Sequence, residues 1–355
     1  MQLFGIDLGK GYTKGYDGKM LKTLPSVVGH PEKIKYQDSL KQAPSPTAGI
    51  HITTSVGEFY VGDLALTQSS LNWTMMDRSD IADPMKLVLT LAVLSEFKAS
   101  GPVRIVTGVP VNWFGQKDEV VDLLKGEHTY SRDGHTRTVD IEDVIVVTEP
   151  HGSAYSKTMD QTGQVINLPL AGGRFGVIDI GMYTVDYLVL DRLGYLEPAS
   201  GSLQSGMAHV YEMVARRIQH DFGVQDLEPH QVDKYIRSGK IAVSGTEYDL
   251  AGIVEPALQG LARKISARAV QFPSPLWKDQ GSSLLAIFIS GGGAHHVGSY
   301  LTRSYPHADI LGGGATANVR GFYNAACYKW LPKQPKTKSK ATRAKSLNGA
   351  MANGG

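Results

Sequence analysis

The segment FGIDLGKGYTKGYDG near the start of the chain combines an acid, two lysines and a glycine-rich turn. An apolar run ends at Asp7, and Lys10 and Lys14 alternate with the glycines that follow it. Glycines let backbone N–H groups approach an anion, and a lysine adds a point charge for phosphate oxygens. The Asp7 carboxylate would repel phosphate unless a cation stood between them, which suits hydrated Mg²⁺. The alternative is an ordinary glycine-rich hairpin.

The spacing of this segment excludes two common phosphate-binding motifs. The pattern G-x-x-x-x-G-K-[ST] cannot be aligned with it, so the segment is not a P-loop. The pattern G-x-G-x-x-G fails because Lys14 stands where the third glycine belongs. The remaining description is Asp-x-Gly-x-Gly-x-x-Lys on a β-hairpin.

A second turn repeats this pattern about half a chain length later. The segment FGVIDIGMYTVDYLVLD again runs from an apolar strand through Asp-x-Gly into a return strand, and Asp179 follows Asp7 by 172 residues. Two acids at the ends of two matched strands can hold one hydrated Mg²⁺ from both sides. We interpret the repeat as an internal duplication. The alternative is a plain hairpin in which Asp179 is a turn former.

Two further segments have residues that suit nucleotide chemistry. The apolar strand IFIS runs into Gly291, Gly292 and Gly293, whose bare backbone would let a purine ring pack flat against it. A tight strand-to-helix turn is the alternative. Glu149 follows another apolar strand, where a carboxylate can orient or deprotonate a water that attacks a γ-phosphate. The alternative for Glu149 is a helix N-terminal acid favoured by the helix dipole.

Strands that alternate with helices predict an α/β fold, in which two similar domains share a cleft. Residues 30–75 are polar and then β-like, which predicts a small β-rich insertion in the first domain. A hairpin with an Asp133-Gly134 turn is predicted within 129–150. Helices are predicted at 83–100, 118–126, 152–161, 206–223, 252–270 and 315–330.

Composition predicts a folded protein with a basic tail. The chain has 355 residues, 42% apolar and 20% charged, which is long enough for two domains. A single cysteine, Cys327, indicates a reducing compartment, and no apolar run approaches the roughly 20 residues that span a bilayer. Residues 332–355 hold six basic residues and no acidic one. We expect a disordered tail that is either a solubilising extension or a contact for nucleic acid or an acidic neighbour.

The motifs follow the order found in the actin/Hsp70/sugar-kinase superfamily, ending with the adenosine-type SGGGA and the segment TANVRGFY. The chain resembles in particular the bacterial actin-like plasmid-segregation proteins of the ParM/StbA type, with TGVPV at 107–111 and ANVRGFY at 317–323. This resemblance covers residues 1–331. It implies two actin-like, ribonuclease H-like domains that flank a nucleotide cleft. The implied segments are domain I at 1–150, domain II at 151–314, and a final helix at 315–331 that returns to domain I.

The resemblance also implies roles for individual residues. Glu149 matches the acid that positions the hydrolytic water, and Asp7 and Asp179 would hold Mg²⁺ through water. Lys14 would be the phosphate lysine, whereas Lys10 is expected to face solvent and to contribute its backbone. The implied phosphate-binding residues are Gly9, Lys10, Gly11, Tyr12, Thr13, Lys14, Gly181, Met182, Tyr183 and Thr184. The implied adenosine-binding residues are Glu212, Arg216, Gly291, Gly292 and Gly293.

One feature departs from the family pattern. Small residues usually follow Asp-Ile-Gly in the second turn, but here Met182 and Tyr183 occupy these positions. Their backbone amides can still bind phosphate, and their bulk leaves the shape of the γ-phosphate pocket open.

The function implied by the resemblance is a cytoplasmic ATP- or GTP-driven filament protein that uses Mg²⁺. It would polymerise with nucleotide, hydrolyse it in the filament, and push plasmid copies apart through a DNA-binding adaptor protein. Neither a membrane nor direct sequence-specific DNA binding is expected. The alternative is a soluble ATP-dependent phosphotransferase of the sugar-kinase type, which needs a substrate-binding carboxylate beyond Glu149 that the sequence does not reveal.

Overall fold

The computed structural model describes residues 1–32, 49–74, 81–227 and 229–332. In these ranges the first part of the chain forms a large mixed sheet. Its strands are β1 (Gln2–Leu8), β2 (Tyr12–Tyr16), β3 (Leu21–Pro25), β4 (Val27–Gly29), β5 (Ile50–Thr54), β6 (Gly57–Val61), β7 (Asn72–Thr74), β8 (Gly101–Val109), β9 (Gly126–Arg132) and β10 (His135–Thr148). Their order across the sheet is β3-β2-β1-β8-β10-β9-β5-β6-β4-β7.

The second part of the chain forms a smaller mixed sheet. Its strands are β11 (Arg174–Ile180), β12 (Val185–Asp191), β13 (Gly194–Tyr195), β14 (Gly201–Leu203), β17 (Ile287–Ser290) and β18 (Ala308–Ile310). The order is β13-β12-β11-β17-β18, and β14 also pairs with β12. A separate hairpin consists of β15 (Lys240–Val243) and β16 (Thr246–Asp249).

Helices cover these sheets and fill the space between them. They are α1 (Asp63–Gln68), α2 (Pro84–Glu96), α3 (Lys117–Leu124), α4 (Glu149–Thr158), α5 (Leu168–Gly172), α6 (Met207–Phe222), α7 (Pro229–Ser238), α8 (Ala251–Ala269), α9 (Ala294–Leu301) and α10 (Gly314–Trp330). Within the described residues, no helix is both long and apolar enough to cross a membrane.

The two sheets share one arrangement at their centres. β1 is antiparallel to β2 and parallel to β8, while β11 is antiparallel to β12 and parallel to β17. The first hairpin pairs Asp7 with Lys14, and the second pairs Asp179 with Asp186. Asp7 at the end of β1 and Asp179 at the end of β11 line the same cleft, so each sheet presents the carboxyl end of its first strand to it. This arrangement agrees with the internal duplication predicted from the sequence.

Helices α4 and α10 pack closely against each other. A Cβ atom on Gly321 of α10 would lie 1.6 Å from the Gly152 carbonyl oxygen of α4, so this contact requires glycine. Ala154 and Ala317 pack with the apolar residues of β11 and β17, whereas Phe322 packs with the first sheet. The final helix therefore contacts both sheets, including the contact with the first sheet expected for a returning helix.

Several predicted elements are present with small shifts of their ends. The hairpin turn at Asp133-Gly134 is confirmed, with both residues at positive φ. The helix predicted at 152–161 begins earlier, at Glu149, because Pro150 can occupy its first turn. The described strands of the insertion continue the first sheet, since β5 pairs with β9. Residues 33–48 of the insertion and the predicted tail beyond 332 lie outside the described residues.

Candidate functional site

A cleft between the two sheets brings most of the predicted site residues together. Its empty space is about 1040 Å³ when the open solvent at its mouth is counted. The predicted residues that line it are Asp7, Gly9, Lys10, Gly11, Tyr12, Lys14, Glu149, Asp179, Gly181, Met182, Tyr183, Thr184, Gly291, Gly292 and Gly293.

The two turns at the cleft have similar local geometry. A Cβ atom on Gly9 would lie 2.8 Å from the Tyr12 carbonyl oxygen, and one on Gly181 would lie 3.0 Å from the Thr184 carbonyl oxygen. Both contacts are too close for a larger residue without a shift of the backbone. The tightness of each turn therefore favours glycine at Gly9 and Gly181, whatever ligand the turn binds.

The first turn is stabilised by hydrogen bonds from Ser26, a residue that was not identified from the sequence. Ser26 Oγ donates a hydrogen bond of 2.6 Å to the Gly9 carbonyl, and its backbone N–H donates to the Gly11 carbonyl at 3.0 Å. The Thr13 and Ser26 hydroxyls are hydrogen bonded at 2.8 Å. Thr13 is fully buried and does not line the cleft. Its position fits a role in holding the turn and gives no support to the predicted phosphate contact.

The two lysines of the first turn have different surroundings. Lys14 Nζ donates to Asp7 Oδ2 at 2.8 Å, and both side chains are mostly buried. Lys10 Nζ lies 5.0 Å from the centroid of the Tyr183 ring and 5.4 Å from that of the Trp113 ring. Lys10 therefore points into the cleft, and the expectation that it faces solvent is wrong. Burial lowers the pKa of Lys10, while the charge of Glu149 acts in the opposite direction.

Four carboxylates lie close enough at the cleft to interact electrostatically. Burial raises the pKa of Glu149 well above its usual range, and the charges of Asp186, Asp7 and Asp179 act in the same direction. Burial also raises the pKa of Asp179 to about 7, against the effect of its hydrogen bonds. The site therefore concentrates negative charge that a bound cation would stabilise.

Asp179 is held in place by two side chains from other elements. Asn318 Nδ2 of α10 donates to Asp179 Oδ2 at 2.6 Å, and Ser290 Oγ of β17 donates to Asp179 Oδ1 at 3.1 Å. Asn318 also accepts hydrogen bonds from the backbone and hydroxyl of Ser153 on α4. The sequence analysis included Asn318 only as a letter in TANVRGFY, and its contact with Asp179 depends on how α10 packs.

Asp186 is a further buried carboxylate that the sequence analysis missed. Its Oδ1 accepts from Ser202 Oγ at 2.5 Å and from the Val111 backbone N–H at 2.9 Å. Its Oδ2 accepts from Thr184 Oγ1 at 2.9 Å. Val111 begins the short 3-10 helix that follows β8, so this carboxylate connects the two halves of the chain. The internal repeat could have indicated this residue, since Asp186 follows Asp179 by the same interval as Lys14 follows Asp7.

Another wall of the cleft carries residues that were not predicted. Tyr211 Oη donates to Asp233 Oδ1 at 2.5 Å, and Arg237 Nε donates to Asp233 Oδ2 at 2.8 Å. Both Tyr211 and Arg237 line the cleft. Helix α7, which carries Asp233 and Arg237, was not predicted, although PHQVDKYIRS has a strongly amphipathic pattern.

Two of the predicted adenosine-binding residues lie elsewhere. Glu212 and Arg216 are exposed on α6 and line a separate surface depression with Gln219 and Asp226. The buried face of the same helix instead presents Tyr211 to the cleft. The structure therefore does not bring Glu212 and Arg216 to the cleft wall.

The three consecutive glycines have different reasons to be glycine. Gly291 has φ of 89°, and a Cβ atom there would lie 2.4 Å from the Ile180 carbonyl oxygen. A Cβ atom on Gly293 would lie 2.5 Å from Ile180 Cγ2. A Cβ atom on Gly292 would have no described heavy atom within 4 Å beyond its chain neighbours. Packing against β11 therefore explains why Gly291 and Gly293 are glycines. Of the three, only Gly292 still fits the prediction that a bare backbone lets a purine ring pack against it.

Matched hairpins that present acids to one cleft between two similar sheets define an actin-like architecture. Residues 5–152 match the family model described as the N-terminal domain of actin-like proteins. Residues 177–303 match the model described as the C-terminal domain of the archaeal actin homologue, MreB-like. Because these consecutive matches together cover most of the chain, it belongs to the actin-like proteins. A comparison with curated proteins found no match.

Solved structures have the same fold over nearly the whole chain. An archaeal actin homologue, Ta0583, has a TM-score of 0.76 at 19% identity, covering 92% of this chain and 99% of that chain. Its complex with ADP has a TM-score of 0.74 with the same identity and coverage. A 15-stranded ParM filament from Clostridium botulinum has a TM-score of 0.75 at 23% identity, again covering 92% and 99%. The predicted two-domain actin-like fold is confirmed.

Proposed function

We propose that this protein is a nucleotide-driven filament-forming ATPase that binds Mg²⁺-nucleotide in the cleft between its two sheets. The observation that carries the proposal is the opposition of two matched Asp-x-Gly turns, from β1–β2 and β11–β12, across one cleft. Their glycines bring backbone amides to the cleft, and Lys10 and Lys14 supply positive charge. An ADP complex is known for the archaeal homologue of similar fold, which supports a nucleotide as the ligand.

The carboxylates of the cleft fit a hydrated divalent cation. Asp7, Glu149 and Asp179 raise one another's electrostatic energy, and Lys14 neutralises part of this charge at Asp7. The described residues contain no group of three or more His, Cys, Asp or Glu side chains placed to hold a metal directly. We therefore assign Asp7 and Asp179 to contacts with the water shell of Mg²⁺. When bound, the ion would offset phosphate charge.

Glu149 is our candidate for the residue that orients the attacking water. It begins helix α4 and faces the cleft beside both turns. Burial and the nearby acids raise the pKa of Glu149, so its carboxylate form is a stronger proton acceptor than that of an exposed glutamate. A Mg²⁺ ion bound beside it would shift the balance from the protonated form back towards the carboxylate.

We assign the nucleoside to the wall formed by Gly292, Tyr211 and Arg237. Gly292 leaves its backbone open to the cleft, and Tyr211 and Arg237 are both fixed by Asp233. An arginine whose Nε is already bonded keeps its terminal N–H groups for base or ribose acceptors. Both ATP and GTP remain candidates, because backbone packing alone does not select the base.

Filament formation and plasmid segregation complete the proposal. The ParM filament of similar fold supports self-assembly, and the bacterial plasmid-segregation proteins that the sequence resembles support a DNA-binding adaptor as partner. A protein with this role works in the cytoplasm. The alternative phosphotransferase would need a free carboxylate beyond Glu149. Asp186 does not provide it, because its oxygens already accept three hydrogen bonds.

The experiment that tests this proposal measures nucleotide binding and assembly together. Purified protein is titrated with Mg²⁺ and ATP or GTP in a calorimeter, and matched samples are sedimented at high speed. We expect saturable binding and a nucleotide-dependent pellet. Binding without a pellet at any concentration would overturn the filament assignment, and sugar-dependent ATP turnover would favour the phosphotransferase.

A further inference from the structure

Lys10 is a partly buried cation in the first turn, and none of the ion pairs found among the described residues includes it. Among the described residues, ion pairs are formed by Lys14 with Asp7 but not by Lys10. Removal from water lowers the pKa of the Lys10 amine, and Glu149 only partly offsets this. A desolvated ammonium group without an opposite charge is unfavourable unless a ligand supplies that charge.

The side chains around Lys10 come from both halves of the chain. Trp113 lies in the 3-10 helix after β8, and Tyr183 lies in the turn between β11 and β12. Their ring centroids are 5.4 Å and 5.0 Å from Lys10 Nζ, within the range of cation–π attraction. We call these two rings the Lys10 cage. The cage holds the ammonium group between the first turn, which carries Lys10, and the second turn.

The energies favour a cage that positions the lysine for an anion. A cation–π contact at a partly exposed site is a weak attraction. A hydrogen bond between an ammonium group and a phosphate oxygen is stronger, so a phosphate oxygen would compete well with the rings. Lys14 should attract a second anion less strongly, because it already donates a hydrogen bond to the Asp7 carboxylate.

We propose that Lys10 binds the terminal phosphate of a nucleoside triphosphate and that Trp113 and Tyr183 hold its ammonium group in place between the two turns. This inference rests on the proposed nucleotide function. It also gives Tyr183 a purpose at a position where the family usually has a small residue. Lys10 then distinguishes triphosphate from diphosphate, whereas the glycine turns bind both.

The test compares nucleotide affinities of Lys10→Met and Lys10→Arg by calorimetry, using Mg²⁺ with ATP, with a non-hydrolysable ATP analogue and with ADP. We expect Lys10→Met to weaken binding of both triphosphates by about tenfold or more, as loss of a charge-assisted hydrogen bond implies. Binding of ADP should change by less than about twofold on the same reasoning. Lys10→Arg keeps the charge and should retain most of the preference for triphosphate.

Two further variants separate positioning from structure. Tyr183→Phe keeps the ring and should preserve the triphosphate preference, whereas Tyr183→Ala should reduce it while ADP binding persists. Thermal unfolding without nucleotide checks that each variant is folded. Equal losses for ATP and ADP, or no loss in Lys10→Met, would overturn the inference and leave Lys10 a structural contact. Failure of the unaltered protein to bind any nucleotide would instead overturn the proposed function.

Discussion

Asp186 lies opposite Asp179 in the second hairpin at the register position that Lys14 holds opposite Asp7 in the first. The duplicated framework therefore carries a salt bridge on one side of the cleft and two acids on the other. Lys14 neutralises Asp7 directly, while Asp186 is satisfied by Thr184 and by groups beyond the hairpin. On the second side, burial raises the pKa of Asp179 to about 7, and the charges of Asp186 and Asp7 act in the same direction.

Replacement of Asp186 should weaken the connection between the two halves. Asp186→Asn replaces one carboxylate oxygen with an N–H₂ group, which then faces either Thr184 Oγ1 or the two donors Ser202 Oγ and Val111 N–H, so at least one hydrogen bond is lost or reversed. We expect the free energy of unfolding to fall by about 2 kcal/mol or more. Chemical denaturation measures this, with Glu255→Gln on the exposed surface of α8 as the control. Equal stability of the two variants would contradict the role of Asp186.

The contact between α4 and α10 should be intolerant of a single methyl group. Gly321→Ala places a Cβ atom against the Gly152 carbonyl, so the helices must separate, and we expect a loss of about 2 kcal/mol or more. Gly260→Ala in α8 is the matched control, since no described heavy atom outside its helix backbone and chain neighbours lies within 4 Å of the added Cβ. Helix propensity favours that alanine by about 1 kcal/mol. Thermal unfolding should thus show shifts of opposite sign, and shifts of the same sign would refute the account.

Burial of His151 should make stability depend on pH. Burial lowers the pKa of His151 to about 4, so between the ordinary value near 6.5 and pH 4 the unfolded chain binds the proton more readily. The contribution of His151 to the free energy of unfolding is complete above pH 6.5. It decreases as the pH falls, and the total loss is about 3 kcal/mol. The raised pKa of Asp179 acts with the opposite sign in this window. The test therefore compares the free energy of unfolding of the unaltered protein with that of His151→Gln.

The difference in free energy of unfolding between the unaltered protein and His151→Gln should become smaller as the pH falls from 7 to 4, because only the unaltered protein loses the histidine contribution. Thr148 forms a hydrogen bond of 2.7 Å with His151 Nδ1, and glutamine can keep a polar contact there. Urea unfolding at several pH values gives the measurement. A difference that does not vary with pH would show that His151 is accessible to protons in the folded protein.

The nucleoside wall can be tested with two arginines. Arg237→Ala removes a guanidinium group that lines the cleft, and we expect nucleotide affinity to fall by about tenfold. Arg216→Ala, on the exposed face of α6 and outside the cleft, should leave affinity unchanged within about twofold, because no contact with the nucleotide is lost. Calorimetric titration with ATP and GTP compares them. The reverse order would restore the assignment made from the sequence resemblance and remove Arg237 from the site.

The sequence predicted the parts of the site that lie within single turns. Asp7, Glu149 and Asp179 each end or follow an apolar strand, so the local pattern indicated that they lie at the carboxyl ends of strands. The repeated Asp-x-Gly pattern also predicted that two such turns face each other. These are short-range features in which residue type and spacing determine the backbone geometry.

The residues that were missed depend on contacts between distant segments. Asn318 reaches Asp179 only because α10 packs against α4, and Arg237 reaches the cleft only because α7 packs beside α6. Lys10 is directed towards Trp113, which lies in the 3-10 helix that follows the neighbouring strand β8. The residue pattern within one segment does not indicate which distant segments come into contact with it. For Glu212 and Arg216, the resemblance indicated the helix but not which of its faces meets the cleft.

In the function proposed above, nucleotide bound in the cleft drives assembly, and Glu149 limits how long the assembly lasts. Light scattering after addition of a limited amount of ATP with Mg²⁺ distinguishes these steps when the unaltered protein is compared with Glu149→Ala. We predict a rise in both, followed by decay in the unaltered protein and a persistent signal in the variant, because hydrolysis is lost. No rise in the unaltered protein with any nucleotide, or identical decay in both proteins, would contradict the account.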